Sequence, residues 1–151
     1  DDLSKNQLKL IPKALWKEST VLKFFEPSNP KYVSYSIVNY QRNYNLNDDK
    51  YINVDSTTLS SIMEKYNLNE IEIFKLDIEG AEIVVLKHML QKTSIRPKQL
   101  LIEFDGLNIP SKRAKNDYEE TNKLLVYYGY QCYYFDGRSN FLYAQSNIFG
   151  S

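Results

Sequence analysis

Hydrophobic and polar residues alternate along several short stretches of the chain, as they do in β-strands that bury one face. Residues 7–16 and 21–25 are the first two such stretches, and residues 51–54 form a shorter third one. Two more strands are predicted at residues 71–77 (IEIFKLD) and 99–105 (QLLIEFD). The apolar run in the last of these is typical of a strand that is covered on both faces.

Other stretches repeat their apolar residues at the helical period. Ser56 or Thr57 is placed to cap the helix that follows the third strand. Further helices are predicted over residues 80–91 and 112–128. Because residues 80–91 join two predicted strands, we expect a parallel β-α-β unit with a right-handed crossover.

The end of the chain predicts a β-hairpin, in which residues 131–135 and 141–145 are joined by a longer loop (DGRSN). Residues 26–50 are instead rich in Pro, Ser, Asn and Asp, and they predict a variable loop region. We find no internal repeat and no low-complexity linker. The sequence therefore predicts a single α/β domain over residues 1–151.

Charge and composition narrow the classes of partner. The chain has 151 residues, of which 19 are basic and 19 acidic, so no net field draws it to nucleic acid or to an anionic membrane. No apolar run approaches the roughly 20 residues that cross a bilayer. The single cysteine, Cys132, cannot form an intrachain disulfide. No signal peptide is recognisable, and the cytoplasm is the default expectation.

Acidic residues follow both strands of the predicted parallel pair. Asp77 and Glu79 come at the end of one strand, and Glu103 and Asp105 come at the end of the other. Ligands bind beyond the carboxyl ends of strands in open α/β sheets, so these carboxylates are expected to line one cleft. An acidic residue that closes a buried apolar strand is costly unless it is paired or serves a ligand. This cost favours a functional role for Asp77.

Other charged residues have plain structural explanations. Glu82 lies in the first turn of a predicted helix, and complementing the helix dipole is the preferred explanation for it. Glu103 could equally well pair with Lys75 on the adjacent strand. His88 is the only histidine, so a histidine metal site or a Ser-His-Asp triad is not supported.

One block of the sequence resembles the signature of a known family. Residues 75–82 read KLDIEGAE and are followed by IVVLKHML, which is similar to the strand end and the Val-Leu-rich helix of the FkbM-type methyltransferases. The segments IPKALW, VLKFF and LLIEFDG agree with that family in order and spacing, so the resemblance covers about residues 7–107. It implies a Rossmann-like class I methyltransferase sheet with helices on both faces and a C-terminal antiparallel hairpin.

The resemblance also implies a cofactor and an acceptor. The cofactor is S-adenosylmethionine, and the methyl group goes to a hydroxyl on a small molecule or glycan. Asp77 would lie beside the methionine end of the cofactor, with Glu79 in the same pocket, and one of the two would take the hydroxyl proton. Glu103 would face the acceptor from the neighbouring strand. Ala14 and Leu15 would lie near the adenine.

By the same resemblance, part of the cofactor site lies outside this sequence. The five glycines include no Gly-x-Gly pair, so the family's Gly-rich loop and N-terminal strands are expected upstream of Asp1. The sheet would then keep an uncovered edge and apolar faces, which would invite a homo-oligomer. Two other functions stay open: a metal-dependent hydrolase that uses the strand-end carboxylates as Mg²⁺ or Mn²⁺ ligands, and a non-catalytic interaction domain.

Overall fold

Two β-sheets and three α-helices make up the part of the chain that the computed structural model describes, which comprises residues 8–27, 35–37, 50–109 and 111–146. The strands are β1 (Ala14–Leu15), β2 (Val21–Phe25), β3 (Tyr51–Thr57), β4 (Ile73–Leu76), β5 (Gln99–Glu103), β6 (Tyr130–Phe135) and β7 (Asn140–Gln145). The helices are α1 (Leu59–Lys65), α2 (Glu82–Lys92) and α3 (Lys112–Tyr127). None of these helices is both long enough and apolar enough to cross a membrane. The mixed α/β class predicted from the sequence is confirmed.

The first sheet has three strands in the order β1-β3-β2, with β1 parallel and β2 antiparallel to the central β3. β2 occupies the predicted range, but the strand predicted over residues 7–16 is reduced to the two residues of β1. The Lys13 N–H donates to the Ile11 carbonyl at 2.8 Å, which makes a tight turn around Pro12. Pro12 has no N–H for a sheet, so pairing begins only after it. Residue 7 lies outside the described residues.

The junction of β3 and α1 corrects the predicted helix cap. Thr58 caps α1, because its Oγ1 accepts the Ser61 N–H at 3.1 Å. Ser56 and Thr57 instead extend β3 past its predicted end and pair with β1. The Ser56 hydroxyl is also not available to cap α1, because it accepts a hydrogen bond from the Thr20 N–H at 2.9 Å. A distant strand therefore decides where the helix begins.

The second sheet has the order β4-β5-β7-β6 and contains the predicted β-α-β unit. β4 and β5 are parallel, as predicted, and α2 joins them. The predicted hairpin is formed by β6 and β7, which pair antiparallel, and β7 also pairs antiparallel with β5. The predicted end of α3 is confirmed as well: Gly129 follows it with a φ of 87°, which glycine adopts without strain. A 3₁₀ helix at Asp105–Asn108, which the pattern did not predict, follows β5.

Both long helices, α2 and α3, contact each other and pack on one face of the second sheet. The apolar side chains that meet there are buried: Leu76, Leu100 and Ile102 from the strands, Val85, Leu86, Met89 and Leu90 from α2, and Leu125 from α3. Complete burial of one such side chain stabilises the fold by about 1.5–3 kcal/mol. This core fixes the strand ends at which the acidic residues lie.

The opposite face of the second sheet is more open. Along β5, Leu100 and Ile102 point toward the helices and are buried, whereas Leu101 points away and is 37% exposed. Ile73 on β4 is 57% exposed. The prediction of a β5 strand covered on both faces is therefore wrong for the described part of the chain. β4 is also the outermost strand of this sheet there, in agreement with the expected uncovered edge.

Candidate active site

The carboxyl ends of β4, β5 and β6 lie at one edge of the second sheet, because these three strands run in the same direction. We call this the carboxyl edge. The turn of residues 77–80 and the hairpin loop of residues 136–139 are both located there. The Phe104 N–H donates to the Ser139 carbonyl at 2.9 Å, and the Ser139 hydroxyl donates to the Glu103 carboxylate at 3.4 Å. The strand ends meet as predicted, and the hairpin loop joins them, which the sequence pattern did not show.

Asp77 is exposed rather than buried. Its side chain is 43% exposed, and its Oδ2 lies 2.7 Å from the Lys75 Nζ. This hydrogen bond and the charge of Asp77 raise the pKa of Lys75. The argument that Asp77 closes a buried strand is therefore wrong, because β4 is outermost in the described sheet and Asp77 reaches solvent. Lys75 forms its ion pair with Asp77. The alternative prediction, in which Glu103 pairs with Lys75, is therefore wrong.

Glu82 is the buried acid of the carboxyl edge. It is 2% exposed, and its Oε1 accepts the Ile78 N–H at 2.9 Å and the Gly80 N–H at 3.1 Å. Burial raises the pKa of Glu82 against the opposing effect of these backbone donors, and the charge of Asp105 adds to the rise. The buried Glu82 carboxylate thus stabilises the turn of residues 77–80 by accepting hydrogen bonds from its backbone. The explanation of Glu82 by dipole complementation alone did not predict these hydrogen bonds.

Glu79 adopts a left-handed backbone conformation in the same turn. Its φ is 53°, a region that costs an L-residue about 1–2 kcal/mol. The hydroxyl of the buried Ser36 donates to the Glu79 carbonyl at 2.6 Å and helps to hold this conformation. Backbone strain of this kind clusters at functional sites.

Glu103 and Asp105 are bridged by an amide that the sequence pattern did not single out. The Asn108 Nδ2 donates to the Glu103 Oε1 and to the Asp105 Oδ1, both at 3.3 Å. Asn108 ends the 3₁₀ helix, so the close approach depends on a turn that was not predicted. The bridge gives the Glu103 carboxylate a defined orientation at the carboxyl edge.

The acidic residues that the structure describes do not form a metal site. Within residues 8–27, 35–37, 50–109 and 111–146, no three His, Cys, Asp or Glu side chains are close enough to hold a metal ion together. Asp77 is ion-paired with Lys75, while Glu103 and Asp105 share Asn108. The metal-dependent hydrolase therefore has no ligand cluster in this part of the chain.

Ala14, Leu15 and Glu79 line one cavity of about 290 Å³, which we call the Glu79 cavity. Most of its other walls are apolar: Leu22, Phe24, Ile37, Ile78 and Ala81. The structure thus brings the two residues predicted to lie near the adenine together with one of the two candidate bases. Asp77 and Glu103 are not among the residues that line this cavity.

Asp136 organises the hairpin loop at the carboxyl edge. Its carboxylate accepts the Asn140 side-chain amide at 2.7 Å and the backbone N–H groups of Arg138, Ser139 and Asn140 at 2.8, 3.0 and 3.1 Å. These hydrogen bonds, foremost the one from the Asn140 side chain, lower the pKa of Asp136 to about 2.

We expect this loop to lose its anchor only in strong acid. The folded-state pKa of Asp136 lies below its ordinary value of 3.8, so its contribution to stability is fully present above that value and is lost as the pH falls through about 2. The Ser139 amide signal in NMR spectra should therefore titrate with a midpoint near 2. The titration should be absent in Asp136→Asn, and a midpoint near 3.8 in the unmodified chain would contradict the assignment.

Comparison with known families identifies the chain. The model of the methyltransferase FkbM domain matches residues 5–132. The chain belongs to this methyltransferase family. No curated protein and no solved structure gives a significant match.

The matched part of the FkbM domain contains every predicted site residue: Ala14, Leu15, Asp77, Glu79 and Glu103. It ends within β6, so the hairpin loop and β7 lie outside the matched range. The resemblance carried by the KLDIEGAE block is therefore confirmed at the level of the family. Membership in it indicates methyltransferase activity.

Proposed function

We propose that this FkbM domain transfers a methyl group from S-adenosylmethionine to a hydroxyl oxygen of a small molecule or glycan. The observation that carries the proposal is the Glu79 cavity, in which Glu79 lies beside Ala14 and Leu15 at the end of β4. Within a methyltransferase family, a cavity next to strand-end carboxylates is the natural place for the donor. We further infer that both sheets belong to one domain, because Leu15 of the first sheet packs against the core of the second.

The Glu79 cavity fits one end of such a donor. Its volume of about 290 Å³ is close to the lower limit of small-ligand sites, roughly 300 Å³, so it suits a base and ribose better than a whole cofactor. Leu22 and Phe24 offer apolar walls to a flat base. When bound, the donor supplies an electrophilic methyl group. Ala14 and Leu15 would contact the base.

The residues of the chain would position the acceptor and take its proton. Either Asp77 or Glu79 accepts the proton of the hydroxyl group, as a general base. Lys75, 2.7 Å from Asp77, holds that carboxylate in place. Glu103, oriented by Asn108, faces the acceptor from β5. Most of the rate enhancement would then come from holding the reacting atoms in line.

Donor binding tests the proposal directly. We expect the natural full-length chain to bind S-adenosylhomocysteine, the demethylated donor, in isothermal titration calorimetry. Ala14→Trp places an indole in the Glu79 cavity, where it would occupy the space of the donor. We expect the Kd to rise by about tenfold or more, which corresponds to a loss of about 1.4 kcal/mol or more in binding free energy. Leu10→Trp is the matched control, because Leu10 is 81% exposed and does not line the cavity.

Two results would contradict the proposal. If the full-length chain binds neither the donor nor its demethylated product, the cofactor assignment fails and the non-catalytic interaction domain becomes the better hypothesis. If Ala14→Trp and Leu10→Trp bind equally well, the donor does not occupy the Glu79 cavity. Circular dichroism of both variants checks that the introduced indole has not unfolded the first sheet.

A further inference from the structure

A second, larger cavity lies between α3 and the β6–β7 hairpin, which we call the α3 cavity. Its volume is about 730 Å³, within the range of roughly 300–1,000 Å³ that is typical of small-molecule sites. Tyr118 and Phe141 on its wall are in ring contact, with centroids 5.0 Å apart. Phe135 stacks on Phe141 at 4.4 Å and is still 48% exposed. An apolar aromatic surface is therefore available to a ligand.

The rim of the α3 cavity is cationic. Lys112, Lys115 and Arg138 all line it, whereas Glu119, 3.9 Å from Lys115, is the one carboxylate among the described residues of its wall. Neither Lys112 nor Arg138 forms an ion pair with any residue that the structure describes. Lys112 and Arg138 thus offer two exposed positive charges next to an apolar surface. A ligand that combines a flat apolar body with a negative charge would satisfy both features.

The backbone of Arg138 is held in place by the hairpin loop. Its backbone N–H donates to the Asp136 Oδ1 at 2.8 Å, inside the loop that Asp136 organises. Lys112 is the first residue of α3, directly after the cap residue Ser111, and the positive end of the helix dipole adds to its charge. The two cations therefore extend from separate ordered backbone elements that flank the cavity.

The α3 cavity also adjoins the carboxyl edge. Leu107, Ala114 and Tyr118 line both this cavity and the groove beside Glu82 and Asp105. The Tyr118 ring contacts Phe104, which directly follows Glu103 in the chain, with centroids 5.2 Å apart. A ligand in the α3 cavity would thus extend toward the strand ends where the proposed methyl transfer takes place.

We propose that the α3 cavity is the acceptor subsite, and that the acceptor is an amphiphilic anion: a flat apolar body that carries a carboxylate or a phosphate. The assignment as acceptor rests on the proposed methyltransferase function, whereas the binding of such an anion does not. The apolar body lies against Phe135 and Phe141. The anionic group lies between Lys112 and Arg138, and a hydroxyl on the body faces Glu103.

Binding of 2-naphthoate to the full-length chain, measured by calorimetry without any methyl donor, tests this inference. Its neutral isostere 2-naphthamide should bind about tenfold more weakly, because it has the same body but no charge for the two cations. Added salt should reduce the difference. 2-Naphthyl phosphate is the third probe, and whichever anion binds more tightly identifies the anionic group of the acceptor class.

Charge-removing variants locate the site. Arg138→Gln and Lys112→Gln should each weaken naphthoate binding by about three- to tenfold and leave naphthamide binding unchanged. Lys123→Gln removes the same charge from α3 outside the cavity and should change neither. Phe135→Ala should weaken the binding of naphthoate and of naphthamide to the same extent. All four positions are exposed, so the variants should stay folded.

The outcomes separate this inference from the proposed function. If the chain binds S-adenosylhomocysteine but naphthoate no better than naphthamide, the methyltransferase proposal stands and the anion site is overturned. Equal effects of Lys123→Gln and Arg138→Gln would also overturn it. If naphthoate binds as expected but no donor does, the anion site stands, and its assignment as the acceptor subsite falls with the proposed function.

Discussion

Replacing Asp77 with asparagine is expected to slow methyl transfer by about 10²–10⁴-fold, the usual loss when a general base is removed. Asparagine keeps the shape of the side chain but cannot take a proton from the acceptor hydroxyl. The fold should be unaffected, because Asp77 lies at the surface and exposed ion pairs such as Asp77–Lys75 contribute little to stability. Steady-state turnover and the free energy of unfolding, measured on the same preparation, check both parts of the expectation.

A matched control for Asp77→Asn is Glu120→Gln. Glu120 is likewise an exposed carboxylate in an ion pair, with Lys87 at 3.1 Å, but it lies on α3 and does not line the described cavities. It should leave turnover unchanged. Unchanged turnover in Asp77→Asn would show that Asp77 is not the base. A large loss in Glu79→Gln would then assign that role to the other candidate.

Replacing Glu82 with alanine should lower the free energy of unfolding by about 2–4 kcal/mol. The substitution leaves the N–H groups of the partly buried Ile78 and the buried Gly80 without their acceptor, and each orphaned donor costs about 1–3 kcal/mol. Urea denaturation with an unchanged m-value is the measurement. A loss below about 0.5 kcal/mol, typical of a surface substitution, would contradict the role of Glu82 in holding the turn.

Glu82→Gln is the informative companion, because it keeps a carbonyl oxygen for these donors and removes the charge. Burial raises the folded-state pKa of Glu82 above its ordinary value of 4.5. The stability that protonated Glu82 provides is therefore fully present below that value and is lost as the pH rises through the folded-state pKa. Measured against Glu82→Gln, the unmodified chain should lose stability as the pH rises above 4.5. A difference that does not change with pH would contradict the raised pKa.

Much of the fold could be predicted from local patterns. The hairpin strands, the β-α-β unit and the end of α3 depend on alternation, helical spacing and a glycine, all of which act within a few residues of each other. The predictions were wrong where the bounds of an element depend on a residue that is distant in the sequence. β1 shortens to two residues after Pro12, and the α1 cap moves to Thr58 because Ser56 and Thr57 pair with β1.

The candidate site shows the same division. The KLDIEGAE block and the segments around it predicted the family, and the alternating pattern placed acidic residues at the ends of two neighbouring strands. Only the tertiary structure decided that Asp77 is exposed and Glu82 buried, because burial depends on which strand is outermost and which face the helices cover. Neither property can be read from the spacing of residues within the block.

The sequence by itself therefore determined the order of strands and helices and the methyltransferase family. The tertiary structure alone decided which groups share a cavity. It placed Glu79 with Leu15, and Arg138 with Lys112, although each pair is separated by many residues along the chain. The physical reason is that hydrogen bonding and periodicity act locally, whereas cavities and charge neighbourhoods arise only when distant segments pack against one core.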